Sequence, residues 1–174
     1  MLSIKFSRYF VDYGVRIGYK DAEIDIQTSK AWVNILETLG IIFLLHPYSN
    51  NVLKRTIKTP KVYFYDTGLV CYLTKWSSPE VAESGALLEN FTVSEIVKGY
   101  RNAGLEPYLY FYRDRDAKEI DVILEGDGKL CPLEIKKTAT PDKRIVRTFG
   151  VIDKSPPATR YRCCPLHGGA ARGI

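Results

Sequence analysis

The 174-residue chain contains no G-x-x-x-x-G-K-[ST] stretch, so no phosphate cradle of the Walker type can be assigned and ATP hydrolysis by that route is excluded. It also lacks any uncharged apolar run long enough to span a bilayer. The opening Met1-Leu-Ser-Ile-Lys-Phe6 has no apolar core of the signal-peptide kind, so the expectation is a cytoplasmic protein without a membrane partner. Cysteine is scarce: Cys71, Cys131, Cys163 and Cys164 show no disulfide spacing and read as reduced, structural residues. The run Cys163-Cys-Pro-Leu-His167 is no zinc clip, because vicinal cysteines without a distant partner pair lack the ligand spacing. A large excess of one charge sign is missing too. The net charge of +5 and pI near 8.9 tolerate an anionic partner without requiring one. With 45% hydrophobic and 12% aromatic residues, there is material for one modest domain or two very small ones.

What is present is concentrated near the end. Asp127-Gly128 joins two apolar stretches, a strong local signal for a two-residue hairpin of type I′, whose central residues both need positive φ. With that pair as the loop, Gly126 opposes Lys129. Counting back along strands at about 118–125 and 129–137 sets Asp121 opposite Glu134 and Glu119 opposite Lys136. Opposed side chains lie roughly 5 Å apart at Cβ, and like charges held there are destabilising unless something offsets them. A divalent cation would do so, since magnesium favours one or two carboxylates with water and phosphate oxygens. Lys136, two residues beyond Glu134, shares its side of the strand and could orient or help deprotonate an attacking water. The same four residues equally suit a solvated sheet face crossed by weak ion pairs.

A third carboxylate precedes them. Leu87 to Tyr100 reads as a helix with Val93, Ile96, Val97 and Tyr100 in one apolar stripe, and Glu89 falls inside that stripe. An acid there is costly unless it is paired or binds metal. An ordinary first-turn glutamate favoured by the helix dipole is the simpler alternative. Glu95 lies off the stripe and reads as a surface acid.

The order of helix with Glu89, strand, strand with Asp121 and strand with Glu134-Ile-Lys136 resembles the PD-(D/E)XK, restriction-endonuclease-like nucleases. A longer set of segments, Lys61-Val-Tyr-Phe-Tyr-Asp-Thr-Gly-Leu69, Leu88-Glu-Asn-Phe91, Phe111-Tyr-Arg-Asp114, Glu119-Ile-Asp121 and Glu134-Ile-Lys-Lys137, looks like the C-terminal domain of unknown function of prokaryotic AAA-type ATP-binding proteins. The resemblance implies an α+β (α/β) fold. A small winged-helix-like module at 1–78 would be followed by a truncated restriction-endonuclease-like αβββα core at 79–154. It further implies Mg²⁺ or Mn²⁺ on Asp121, Glu134 and Glu89, with Lys136 completing a catalytic set that acts on DNA. The alternative is a non-catalytic remnant that binds nucleic acid or protein. A separate ATPase chain or self-association would then supply the partner.

The rest of the chain reads more plainly. The first 27 or so residues carry no assigned element. Thr28 or Ser29 is expected to cap a helix running to Leu39, with Trp32, Ile35, Leu36 and Leu39 facing the core and Gly40 ending it. Strands are expected at Ile41–Leu45, Val52–Ile57 and Val62–Tyr65, separated by a turn at Pro47–Asn51, and Ser77-Ser-Pro79 marks the boundary. Lys54, Arg55, Lys58 and Lys61 lie in an acid-free run, 52–61, that suits phosphate contacts but more often makes a solvated or docking face. A strand at Tyr108–Tyr112, a turn at Asp114–Ala117 and a helix opened by Thr140-Pro-Asp142 complete the core. After Lys154 the Gly-, Pro- and Arg-rich text has no strand periodicity, and a disordered tail from a truncated or frame-shifted gene is the expectation.

Overall fold

Helix α1 (Ile26–Thr38) begins at Asp25, whose carboxylate accepts from the backbone N–H groups of Gln27 and Thr28 at 2.8 and 3.0 Å. The cap is therefore earlier than the expected Thr28 or Ser29, because an aspartate in extended conformation reaches two orphan donors at once. Gly40, with φ of 67°, ends the helix as anticipated. The computed structural model describes residues 25–48, 58–75, 85–116, 118–126, 128–138 and 143–154. The strand expected at 52–57, the residues Lys54 and Arg55, the first 24 residues and the tail from 155 lie outside them.

Strand β1 (Ile42–Pro47) pairs antiparallel with β2 (Lys61–Phe64), Ile42 opposite Phe64 and Leu45 opposite Lys61. A short helix that the sequence reading did not assign, α2 (Thr67–Thr74), follows. Asp66 caps it by accepting from Gly68 and Leu69, and a Cβ on Gly68 would stand 3.0 Å from the capping oxygen. Helix α3 (Gly85–Asn102) leads to β3 (Leu109–Arg113), β4 (Glu119–Gly126) and β5 (Lys129–Leu133). A 3₁₀ segment, Lys143–Lys154, takes the place of the expected last helix.

The result is a mixed α+β fold on one open sheet, in the order β2-β1-β3-β4-β5. All neighbours are antiparallel except β1 and β3, where His46 and Pro47 run parallel to Tyr110 and Phe111. The boundary expected at 77–79 lies outside the described residues, and the strands on its two sides share this sheet. Alternation divides the core. Ile42, Val62 and Phe64 face α1 and α2 through Val33, Val70 and Cys71; Phe43, Leu45, Tyr63, Phe111 and Val122 face α3 through Val93 and Val97. A third cluster seats Phe149 and Ile152 against Tyr112, Ile120 and Ile123.

One expectation about the core is corrected. Trp32, Ile35 and Leu39 are 48, 55 and 66% exposed, while Val33 is buried and Leu36 half-buried. At 100° per residue Val33 and Leu36 define the stripe that meets the sheet, and Trp32, Ile35 and Leu39 fall on its flank.

Candidate functional site

The turn residue Gly128 has φ of 66°, and Gly126 opposes Lys129 as the hairpin signal requires; Asp127 lies outside the described residues. The register then holds down to Val122 opposite Leu133, where β5 ends. The anticipated pairs Asp121–Glu134 and Glu119–Lys136 are therefore not rungs of a ladder. Instead the backbone N–H of Ile135 donates to Asp121 Oδ2 at 2.8 Å, so a carboxylate takes the place of a strand partner.

A bulge places that carboxylate. On β3 Tyr110 and Tyr112 are two residues apart, but their partners on β4, Ile123 and Ile120, are three apart. The extra residue lets Ile120 and Ile123 both enter the third core cluster while Val122 enters the second, and Asp121 sits between them. Bulges of this kind re-aim a side chain and sharpen the local twist.

Asp121 is consequently buried, and burial first, then the carboxylates of Glu89 and Glu134, push its pKa up to about 6 against the pull of the Ile135 N–H and Lys136. Lys136 Nζ stands 2.8 Å from Glu134 Oε1 and 3.8 Å from Asp121 Oδ2. Burial pulls the lysine pKa down, but Glu134 and Asp121 outweigh it and hold Lys136 above the ordinary value, so it stays protonated. It neutralises part of the charge of both carboxylates. Glu134 Oε2 is buried without a hydrogen-bond partner among the described residues. The reading as a solvated sheet face is overturned for Asp121 and Glu134 and kept for Lys136, which is half exposed.

Glu89 is on the helix face that meets the sheet, as its place in the apolar stripe suggests, but its partners come from β2. Lys61 Nζ donates to Glu89 Oε1 at 2.9 Å and the Tyr63 hydroxyl donates to the same oxygen at 2.5 Å. Glu119, expected beside Lys136, is held instead by Lys61 Nζ at 2.7 Å and by Arg113 Nε at 3.7 Å. Lys61 was grouped with a basic run and is turned inward, its ammonium 5.3 Å from the Phe111 ring centre. Only Lys58 of the described basic residues in that run is exposed. Next to Glu89, the buried Asn90 amide accepts from Phe64 N–H at 2.8 Å and donates to Phe64 C=O at 3.0 Å. Sequence reasoning missed Lys61, Tyr63 and Asn90 as members of the site, although all three lie in the quoted segments Lys61–Leu69 and Leu88–Phe91.

Among the described residues no three Asp, Glu, His or Cys side chains gather closely enough to hold a metal ion. Asp121 and the unpartnered oxygen of Glu134 do fit a cation that needs one or two carboxylates and completes its shell with water. No described helix is long and apolar enough to cross a membrane.

Residues 84–169 match a family described as Domain of unknown function (DUF4143), and residues 16–80 match a second, Domain of unknown function (DUF8612). An uncharacterized protein of Mycobacterium tuberculosis is 30% identical over 119 residues, which cover 66% of this chain and 26% of the relative. An uncharacterized protein of Mycobacterium bovis matches with the same values. The chain thus spans about a quarter of the length of these curated relatives. No solved structure matches it. Lys61 and Tyr63 come from the first matched region and the acids from the second, so the two regions meet in one site.

Proposed function

We propose that this chain is a non-catalytic protein-binding module that keeps the acidic face of a restriction-endonuclease-like core. The observation that carries the reading is the ammonium of Lys61, within 2.9 Å of both Glu89 and Glu119, which neutralises the face from within. The order of Glu89 on a helix, Asp121 on the middle strand and Glu134-Ile-Lys136 at the end of the last supports the nuclease-like ancestry. The helix α1 with β1 and β2 supports the winged-helix-like part. A surface that suits a partner is the flank of α1, where Trp32, Ile35 and Leu39 are exposed. A separate polypeptide equivalent to the rest of the much longer relatives, an ATPase chain on the resemblance, is the partner this reading favours.

A second reading is favoured by the orphaned Glu134 Oε2: a metal-dependent phosphodiesterase acting on DNA. On it Asp121 and Glu134 would hold Mg²⁺ or Mn²⁺, which would supply positive charge for the phosphate and leaving oxygen. Lys136 would position the attacking water, and Glu89 would be an accessory ligand or base.

Incubation of the purified chain with supercoiled plasmid and Mn²⁺, beside Glu134→Gln, separates the two. The binding-module reading expects no nicking above the level of the variant. Nicking by the wild type that Glu134→Gln abolishes would replace it with the nuclease.

A further inference from the structure

We infer that Lys61 is a resident cation of the acidic face: its ammonium holds Glu89 and Glu119 where a divalent ion would otherwise draw them, so strand β2 keeps the face from loading metal. The inference rests on the proposed reading of a face neutralised from within and adds the residue that controls it.

Several independent observations converge on this lysine. Lys61 and Tyr63 alternate onto the same side of β2, and both reach Glu89, one with a charge and one with a hydroxyl. Lys61 also reaches Glu119 at 2.7 Å, although β2 and β4 are separated by β1 and β3 in the sheet. Its side chain is 17% exposed, so the attraction is less screened than in a surface pair, and removing one partner leaves a partly desolvated charge uncompensated. The Phe111 face beneath the ammonium adds a cation–π contact. Burial works against its charge, yet Glu89 and Glu119 outweigh burial and raise its pKa above the ordinary lysine value.

The acids around it form a single neighbourhood. The Tyr63 hydroxyl feels Glu89, Asp121 and Glu119 together, and Asp121 feels Glu89 and Glu134. Among the described residues the cations paired with these acids are Lys61, Lys136 and Arg113. Lys136 already serves Asp121 and Glu134. Removing the charge of Lys61 therefore leaves Glu89 and Glu119 without their closest counter-ion. Carboxylates in that state take up a proton or a cation. Glu89 and Glu119, which share the ammonium of Lys61, would then be two carboxylates around one emptied position, a pair that a hard divalent ion completes with water.

Calorimetric Mn²⁺ titrations of the wild type, Lys61→Met, Lys61→Arg and the double variant Lys61→Met/Glu89→Gln test the inference. Lys61→Met is expected to bind Mn²⁺ about tenfold or more tightly than the wild type, within the usual range for coupled sites. Lys61→Arg should behave as the wild type, and Glu89→Gln should erase the gain. A folded Lys61→Met that binds no tighter, or a double variant that keeps the gain, overturns the inference. Thermal unfolding covers a variant that does not fold alone. A Lys61→Met chain that folds only with Mn²⁺ supports the exchange of one cation for the other, and one that Mn²⁺ cannot fold overturns it. The wild-type titration reads the underlying proposal separately: tight Mn²⁺ binding there, lost in Asp121→Asn, sinks the neutralised face whatever Lys61→Met does.

Discussion

Asp121 is a carboxylate that the fold keeps at a cost. Its pKa near 6 lies above the ordinary 3.8, the reverse of an acid stabilised by a salt bridge. The native state therefore holds a proton that the unfolded chain releases, and stability falls as pH rises through the window from about 4 to about 6. By neutral pH the ionised group costs roughly 3 kcal/mol. Asp121→Asn removes that charge and keeps an oxygen to accept from Ile135 N–H. The variant is expected to be about 1–3 kcal/mol more stable than the wild type near neutral pH, with the gain shrinking toward about pH 4. Urea unfolding at the two ends of the window measures this. A variant less stable near neutrality would mean that the contact with Lys136 outweighs burial.

At the scale of elements, helix α3 is fastened to strand β2 by two adjacent side chains, Glu89 on Lys61 and Tyr63 and Asn90 on the Phe64 backbone. Asn90→Ala removes two buried hydrogen bonds and leaves polar backbone without them, so a loss of about 2–4 kcal/mol is expected in urea unfolding. A loss under about 0.5 kcal/mol would show that the amide is not what anchors the helix. The partners were not visible in the sequence, because Asn90 and Phe64 are far apart along the chain and no local pattern links them. The hairpin was legible: Gly126 opposite Lys129 follows from a turn chemistry that acts over two residues. What failed was extrapolation. The bulge beside Asp121 goes with packing on β3 and the third core cluster, and the end of β5 at Leu133 goes with the Asp121 carboxylate on the Ile135 N–H; neither follows from alternation. Helix α1 failed in a similar way, since an apolar sector has width and its sequence does not say which edge docks. Val33→Ala should cost about 1–3 kcal/mol and Leu39→Ala under about 0.5, and equal losses would contradict the burial of Val33.

Over the whole molecule, the two family-matched regions, 16–80 and 84–169, are joined by backbone pairing as well as by side chains. Strand β1 runs parallel to β3 and the N–H of Tyr48 donates to Phe111 C=O at 2.7 Å, so the second region uses the first as a sheet neighbour. Its helix α3 faces Phe43, Leu45 and Tyr63 as well as Val122. A chain restricted to residues 79–154 would bare the inner edge of β3 and half of that apolar surface, and Glu89 would lose both Lys61 and Tyr63. Unpaired strand edges and uncovered core faces favour association over folding. Such a fragment is expected to unfold without a cooperative transition and to bind the dye ANS, in contrast to the full chain, as followed by near-UV circular dichroism and dye fluorescence. Cooperative unfolding of the fragment would instead make the acidic core an independent domain. The contribution of β2 to the site would then be a docking contact between two folded bodies, and Lys61 would act across an interface instead of within one sheet.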